Sequence, residues 1–326
     1  MKNINDVAKL AGVSKSTVSR VLNNKDIVQP DTRDKVITAM EKLNYKPDMN
    51  ARYLRRDETK LIALVMPDIS DPFYDQLAAV IENEADNNNY NVILFNETDK
   101  DNFIDKTIRI LQQRRVDGLI YISENLPDKY YDILLNCEFP VVQFANFQQK
   151  NSFPSAGIDF YQAVYEMTFY LLQQHQNIVF LNSYKNKHLK KIMKKAFMDS
   201  HQNNGFKARE EQIIEIKQDK AKTFADILKR KKEIDAVFVS SDQIAIKLMK
   251  YLQKNGVKIP ADISVSGFNN IRYSNFTNPR LTTISHPLSQ IGVKLTEMLI
   301  DLIDQKELRD KDIVFEHEII IRESTK

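Results

Sequence analysis

Basic and hydroxyl side chains occur at helical spacing near the N terminus. Ser16 and Arg20 are four residues apart, which places them on one face of a helix with Lys15 at its start. Val18 and Val21 fall on the opposite face, where they can pack against a neighbouring helix. Arginine can hold a guanine through two parallel hydrogen bonds, and serine suits a phosphate or either type of base. The pattern therefore predicts a helix that reads duplex DNA.

The residues before this helix predict a second helix that packs on it. Gly12 stands where a helix end favours a left-handed residue, and the Ser14 hydroxyl can cap the helix that follows. Two short helices joined in this way form a helix-turn-helix, which places its second helix in the major groove. The apolar stripe of the first helix recurs at positions i, i+3, i+4 and i+7, at Ile4, Val7, Ala8 and Ala11.

A third helix is predicted to complete a small all-α head over residues 1–47. Pro30 suits its first turn, and Asp31 and Asp34 favour the positive end of the helix. Its predicted apolar stripe consists of Val36, Ile37, Met40 and Leu43.

The first 56 residues resemble the DNA-binding head of the LacI/GalR family of transcriptional regulators. The family's motifs are matched almost throughout by Asp6–Asn23, Thr32–Val36 and Leu43–Leu54. Two positions depart from the pattern. Gln29 stands where the family usually has a serine cap, and Asp48 replaces an asparagine and brings a carboxylate near phosphate.

The resemblance implies a role for individual residues of the head. Lys15, Ser16 and Arg20 are expected to read bases. A hinge helix over residues 48–58 is expected in the minor groove, where Leu54 forms an apolar wedge next to Ala51 and Asn50. The phosphate and positioning contacts are expected from Ser14, Thr17, Asn23 and Thr32.

Charge and composition agree with a DNA reader joined to a larger module. Residues 1–60 carry 13 Lys and Arg against 8 Asp and Glu, whereas the remainder carries 34 against 36. The single cysteine, Cys137, leaves no intramolecular disulfide and fits a reducing compartment. We find no signal peptide and no apolar run of membrane-spanning length, and we expect a cytoplasmic protein. The five histidines lack metal-ligand spacing, so we expect surface or capping roles for them and neither metal nor cofactor.

The body, residues 59–326, alternates short apolar runs with amphipathic stretches such as Tyr74–Ala85 and Phe103–Arg114. This alternation predicts α/β architecture with parallel sheets. Two successive sets of runs indicate two lobes with a break near Gly157–Asp159. The predicted strands are Leu61–Met66, Asn91–Asn96, Gly118–Ile122, Val141–Phe144, Ile178–Leu181, Ile213–Ile216, Ala236–Val239 and Ile263–Val265.

The resemblance to the LacI/GalR family continues more loosely through the body. It is carried by Pro67–Tyr74, Val116–Ile120, Val239–Ala245, Ile259–Phe268 and Pro279–Ile284. These segments resemble an effector-binding core of the two-lobed, periplasmic-binding-protein-like type. The implied lobe 1 spans about 59–158 plus 287–318, and lobe 2 spans about 159–286 plus 319–326.

The resemblance also implies an effector pocket between the lobes. Phe73 and Tyr74 occupy the positions of an aromatic pair that stacks on the ligand, and Asp159 and Asp242 match two polar positions. The family's arginine is replaced by Met193, and an aspartate acceptor is replaced by Asn269.

These two replacements remove charge-assisted hydrogen bonds and leave three hypotheses about the effector pocket. The effector is less polar than a typical sugar, the pocket is weak or vestigial, or control comes from a protein coeffector as in the catabolite-control branch of the family.

The chain is therefore identified as a member of this family, with a regulator rather than an enzyme as the expected function. We expect a homodimeric repressor of a carbohydrate or related catabolic operon, bound to a near-palindromic operator and controlled by a small-molecule effector, possibly a sugar or sugar phosphate. The alternative from another class is a solute-binding protein with an incidental basic head. No membrane partner is expected.

Overall fold

The computed structural model describes residues 3–22, 28–45, 59–97, 107–109, 111, 113, 116–122, 128–144, 153–184, 186–216 and 220–326. It divides into two compact units, Met1–Thr59 and Lys60–Lys326. The predicted contacts of Asn23, Asp48, Asn50, Ala51 and Leu54, and the hinge helix 48–58, lie outside the described residues.

Three helices form the first unit: α1 (Ile4–Ala11), α2 (Lys15–Leu22) and α3 (Pro30–Leu43). α1 begins with a capping box, in which the Asn3 and Asp6 side chains accept each other's backbone N–H. α1 ends at Gly12 in the left-handed region (φ 66°), as predicted. The core of this unit consists of Val7, Ala8, Val18, Val21, Val36 and Ala39.

The predicted apolar stripe of α3 is wrong at one position. Ile37 is 43% exposed, whereas Ala39 is buried next to Val36. Met40 and Leu43 are partly buried and pack against the same core. A small residue such as Ala39 carries a weak hydrophobic signal in the sequence, so the pattern favours the larger Ile37.

The second unit alternates strands with α-helices over its described residues. The elements before the first crossing between the lobes are β1 (Leu61–Met66), α4 (Pro72–Asn87), β2 (Asn91–Asn96), β3 (Gly118–Tyr121), α5 (Asp128–Leu135), β4 (Val141–Phe144) and β5 (Ser155–Ile158). Those that follow are α6 (Phe160–Leu172), β6 (Ile178–Asn182), α7 (Lys187–Asn203), β7 (Ile213–Glu215), α8 (Lys220–Lys229), β8 (Ala236–Val239), α9 (Asp242–Lys254), β9 (Ser264–Phe268), β10 (Thr282–Ser285), α10 (Leu288–Ile303), β11 (Asp312–Phe315) and β12 (Glu318–Ile320).

The strands form two six-stranded sheets, which define the lobes. Lobe 1 has the order β11-β5-β4-β3-β1-β2, and lobe 2 has the order β12-β10-β9-β8-β6-β7. All pairs are parallel except β10 with β12. The architecture is therefore α/β with parallel-dominated sheets. Each of the eight predicted strands overlaps a strand of the structure, although β9 extends three residues beyond the predicted Val265, and β5, β10, β11 and β12 were not predicted.

The chain crosses between the lobes three times. The crossings lie at Asp159, at His286 and Pro287, and between Phe315 and Glu318. The third crossing lies slightly before the predicted boundary at 318, because β12 begins at Glu318 and pairs with β10 of lobe 2.

One buried apolar cluster runs through both lobes. It extends from Ile62 and Leu77 of lobe 1, through Phe144 and Phe160, to Phe238 of lobe 2. Two further clusters cover the other face of each sheet. The centre of the cleft between the lobes is thus part of a continuous apolar core.

Candidate nucleic-acid interface and effector site

α2 presents a polar face to solvent in the first unit. Lys15, Ser16 and Arg20 are exposed, while Val18 and Val21 on the opposite face are buried. The structure therefore brings the three predicted base-reading side chains onto one accessible face.

The start of α2 is held by a small hydroxyl cluster. Ser14 Oγ accepts a hydrogen bond from the Thr17 backbone N–H at 3.1 Å, which is the predicted cap. The same oxygen lies 2.7 Å from Ser16 Oγ and 2.8 Å from Thr17 Oγ1. These contacts fix the orientation of the first turn of α2, where Lys15 and Ser16 stand.

α3 begins differently, because Gln29 precedes Pro30 and makes no capping hydrogen bond through its side chain. The departure seen in the sequence thus has a structural consequence. Thr32, a predicted phosphate contact, lies in the first turn of α3 and is half-buried.

The predicted aromatic pair of the effector pocket lies at the start of α4. Asp71 caps the helix by accepting from the Phe73 N–H at 3.0 Å. The Phe73 and Tyr74 rings meet edge to face, with centroids 5.2 Å apart. Phe73 is buried and Tyr74 is half-buried, so the two rings have different access to a ligand.

Two further predicted pocket residues are engaged within the protein. Asp159 is half-buried and caps α6, where its Oδ1 accepts from the Gln162 N–H at 3.0 Å. Met193 on α7 is fully buried in the continuous apolar cluster. The position where the family has an arginine is therefore part of the core.

Asp242 lies at the first position of α9 with no exposed surface. Its Oδ2 accepts from Ser274 Oγ at 2.6 Å and from the Ile271 N–H at 3.0 Å, and its Oδ1 accepts from Thr283 Oγ1 at 2.6 Å. Burial raises the pKa of this carboxyl from 3.8 to about 7, while these hydrogen bonds lower it. Asp242 is thus a buried brace for the loop between β9 and β10, and its carboxylate oxygens are used within the protein.

Asn269 follows β9 in that braced loop. Its backbone has φ 107°, which is strained for a residue other than glycine. Its Oδ1 lies 3.1 Å from His286 Nε2. The amide that replaces the family's aspartate is therefore used by the protein itself.

Sequence reasoning missed the residues that fill the centre between the lobes. His286 contacts the rings of Phe144, Phe160 and Phe268 and that of Phe73. Phe144 also contacts Phe73 and Phe160, and Phe160 stacks on Phe268 with centroids 5.6 Å apart. Each of these residues ends or closely follows a strand. Aromatic side chains at the carboxyl ends of parallel strands were the available signal, since ligands bind there in open α/β sheets.

The expected surface or capping roles of the histidines are wrong for most of them. His175, His201 and His286 are buried, and His188 and His317 are half-buried. His201 Nδ1 lies 2.9 Å from the Phe197 carbonyl, and His317 Nε2 lies 3.0 Å from Glu166 Oε2. The buried imidazole rings pack inside the protein, and a hydropathy pattern does not predict buried histidines.

Within the part of the chain that the structure describes, no cluster of three or more His, Cys, Asp or Glu side chains could hold a metal ion. The helices described there also include none that is long and apolar enough to cross a bilayer.

Comparison with known proteins assigns both units. Residues 3–48 match the profile described as bacterial regulatory proteins, lacI family, and residues 59–323 match periplasmic binding proteins and sugar binding domain of LacI family. The chain belongs to the LacI family. It is a DNA-binding transcriptional regulator, and the match over the head removes the alternative of a solute-binding protein.

Two curated relatives cover nearly the whole chain. The HTH-type transcriptional regulator RegA of Clostridium acetobutylicum is 36% identical over 99% of both chains. Catabolite control protein A of Priestia megaterium is 32% identical over 99% of both chains. A solved lac repressor dimer bound to operator and an anti-inducer is 23% identical, covers 99% of both chains and has a TM-score of 0.87, which shows the same fold.

Proposed function

We propose that this LacI-family regulator is a repressor that binds a near-palindromic operator as a homodimer in the bacterial cytoplasm, and that it is not an enzyme. The exposed polar face of α2 carries this proposal. A two-fold dimer presents two such helices to two half-sites, and these half-sites are then related by the same symmetry. The solved lac repressor relative is a dimer bound to operator, which supports the arrangement.

The proposed roles in the head follow from chemistry and exposure. Arg20 contacts a guanine edge, and Lys15 and Ser16 contact neighbouring bases. Ser14, Thr17, Thr32 and Asn23 position the head on the phosphates. Leu54 enters the minor groove beside Asn50 and Ala51.

The proposed control acts through the two lobes. A ligand that favours one arrangement of the lobes changes the separation of the two hinge segments in the dimer, and DNA affinity changes with it. The residues proposed to meet or position it are Phe73, Tyr74, Asp159, Met193, Asp242 and Asn269. Because Met193 is buried and Asn269 is held by His286, the favoured effector is less polar than a typical sugar.

A protein coeffector is the second candidate for control. It is favoured by the continuous apolar core between the lobes, and a relative at 32% identity is a catabolite control protein. A thermal-shift screen separates the candidates, because a ligand that binds only the folded state raises Tm. Apolar or nucleoside-like compounds that raise Tm, with sugars and sugar phosphates without effect, support the small-molecule proposal.

DNA recognition is tested by fluorescence anisotropy with fragments from beside the protein's own gene. Arg20→Ala is expected to cost about 1–3 kcal/mol on the preferred fragment and to relax base choice. Thr32→Ala is expected to weaken specific and bulk DNA alike. Lys42→Ala is the matched control, because it removes one positive charge from α3 and leaves the α2 face intact.

The proposed role of Arg20 fails if Arg20→Ala weakens preferred and bulk DNA equally. The repressor proposal as a whole fails if the purified protein prefers no fragment over bulk competitor. Analytical ultracentrifugation at the protein concentration of the anisotropy measurement tests whether the protein is a homodimer.

A further inference from the structure

His286 stands at the second crossing between the lobes, directly after β10. Its side chain is buried, with 5% of the residue exposed. Ligands of two-lobed α/β cores bind near the carboxyl ends of strands. The histidine therefore occupies the region of the cleft in which a ligand would be expected.

Four aromatic rings surround the imidazole, two from each lobe. From lobe 1, the centroids of Phe73 and Phe144 lie 5.0 and 6.3 Å from the His286 centroid. From lobe 2, those of Phe160 and Phe268 lie 5.8 and 5.3 Å away. All four rings are buried, and all four meet the imidazole edge-on or tilted, within the range of favourable aromatic contacts. One side chain thus contacts both lobes at once.

One nitrogen of the imidazole is used and the other is not. Nε2 lies 3.1 Å from Asn269 Oδ1, whereas Nδ1 is buried and has no hydrogen-bond partner among the described residues. Burial lowers the pKa of His286 to about 3, so the ring is neutral at physiological pH. A neutral ring suits the aromatic surroundings, whereas an imidazolium would lack a counter-charge there.

The partner of His286 is itself fixed. The Asn269 N–H donates to the Ile284 carbonyl at 2.9 Å, and the Asn270 Oδ1 accepts from Arg322 Nη2 at 2.8 Å. Asp242 braces the following residues of the same loop through the Ile271 N–H. The loop therefore holds the Asn269 side-chain oxygen Oδ1 in place for the imidazole, although the Asn269 backbone has a positive φ.

We propose that His286 is a built-in occupant of the cleft: its imidazole fills the space between the aromatic rings of the two lobes and fixes the lobes relative to each other without an added ligand. His286 is thus a positioning residue. A sugar would have to displace it, and the hydroxyl groups of the sugar would then face the aromatic rings. The proposal does not depend on the identity of the operator or effector.

The distance between the lobes tests the proposal directly. In the full chain, Cys137→Ser removes the native thiol, and Glu82→Cys on α4 and Lys250→Cys on α9 place one exposed spin label on each lobe. In heterodimers formed with an excess of unlabelled chain, pulsed electron spin resonance is expected to show one narrow distance distribution. His286→Ala is expected to broaden or shift it and to lower Tm, and added imidazole is expected to restore both by refilling the cavity.

Two further variants separate positioning from general stability. His286→Phe keeps an aromatic ring and loses the Asn269 contact, and it is expected to retain the narrow distribution. His201→Ala removes a buried imidazole that lies within lobe 2, and it is expected to lower Tm without a change in the distance between the labels.

An unchanged narrow distribution in His286→Ala overturns the proposal, and so does equal broadening in His201→Ala. Broadening in His286→Ala that imidazole does not reverse also contradicts it, because the space would then not be a site for the ring. If His286→Ala does not fold, His286→Val removes less volume and is measured in the same way.

Discussion

In the head, the side chains predicted to read bases, Lys15, Ser16 and Arg20, are exposed and lie within two turns of α2. Between the lobes, the side chains that meet one another are buried and come from five separate segments, at Phe73, Phe144, Phe160, Phe268 and His286. The first arrangement depends on helix formation and capping. The second depends on the packing of two sheets, so a single change in a supporting residue can disturb all of it.

The largest expected effect tests the dependence of the cleft on its support. In Gly267→Ala, the added Cβ would lie 2.0 Å from Asp242 Oδ1 and 2.9 Å from Leu281 Cδ2. The buried carboxylate would have to move and lose hydrogen bonds, so we expect a loss of about 3 kcal/mol or more in the free energy of unfolding. Urea denaturation of the full chain measures it.

Ser266→Ala is the control for this change. Ser266 is the neighbouring residue of β9, fully buried, and its hydroxyl has no hydrogen-bond partner among the described residues. Its removal is expected to leave stability unchanged or slightly higher, because it deletes an unsatisfied polar group. A Gly267→Ala protein as stable as the Ser266→Ala protein would show that the cleft is not tightly packed.

Acid stability distinguishes the two titrating groups near the cleft. The pKa of Asp242 is raised from 3.8 to about 7, so its contribution to stability is present below about pH 4 and is lost as pH rises through 7. The pKa of His286 is lowered from 6.5 to about 3, so its contribution is present above pH 6.5 and is lost as pH falls through 3. The two groups therefore oppose each other on acidification.

Single variants separate the opposing contributions of Asp242 and His286 to the change of stability with pH. From pH 7 to 4, Asp242→Asn is expected to lose stability more steeply than the parent chain, and His286→Phe less steeply. Urea midpoints at several pH values measure both. Profiles parallel to that of the parent in both variants would mean that neither group titrates differently in the folded and unfolded states.

A substitution in the head is expected to lower the stability of the head and to leave the cleft between the lobes unaffected. Ser14→Ala removes the cap of α2, with an expected cost of about 1 kcal/mol to the head. Hydrogen exchange of peptides from residues 3–45 in the full chain is expected to increase, while exchange in the lobes stays the same. Thr38→Ala, at an exposed mid-helix position of α3, is the control and is expected to be neutral or slightly stabilising.

The difference between the local contacts of the head and the long-range contacts between the lobes explains which parts of the structure the sequence could predict. The helix-turn-helix and its cap could be predicted because each signal, such as Ser14 or Gly12, acts on residues next to it. Long apolar runs such as Leu61–Met66 predicted strands for the same reason. β5, with the sequence Ser-Ala-Gly-Ile, lacks bulky residues, and β12 has only three residues, so neither carries a periodic signal.

The candidate effector site could be predicted only in part. The resemblance pointed to Phe73 and Asn269, which the structure places close to the cleft centre through their contacts with His286. It also pointed to Asp242, which is buried and accepts hydrogen bonds from Ser274 and Thr283, both more than thirty residues away. Such distant partners are set by the tertiary fold and leave no pattern in the local sequence.

The smallest expected effect concerns an ion pair on the surface between the lobes. Arg272 Nη2 lies 3.6 Å from Asp75 Oδ2, and both side chains are about half exposed, at 57% and 49%. Solvent screens such a pair, so a double-mutant cycle with Asp75→Ala and Arg272→Ala is expected to give a coupling of about 0–1 kcal/mol, decreasing with salt. The spin-label distance between the lobes is expected to stay narrow in both variants, because the buried rings hold the lobes together. A broadened distribution in Arg272→Ala would assign that task to the surface ion pair instead.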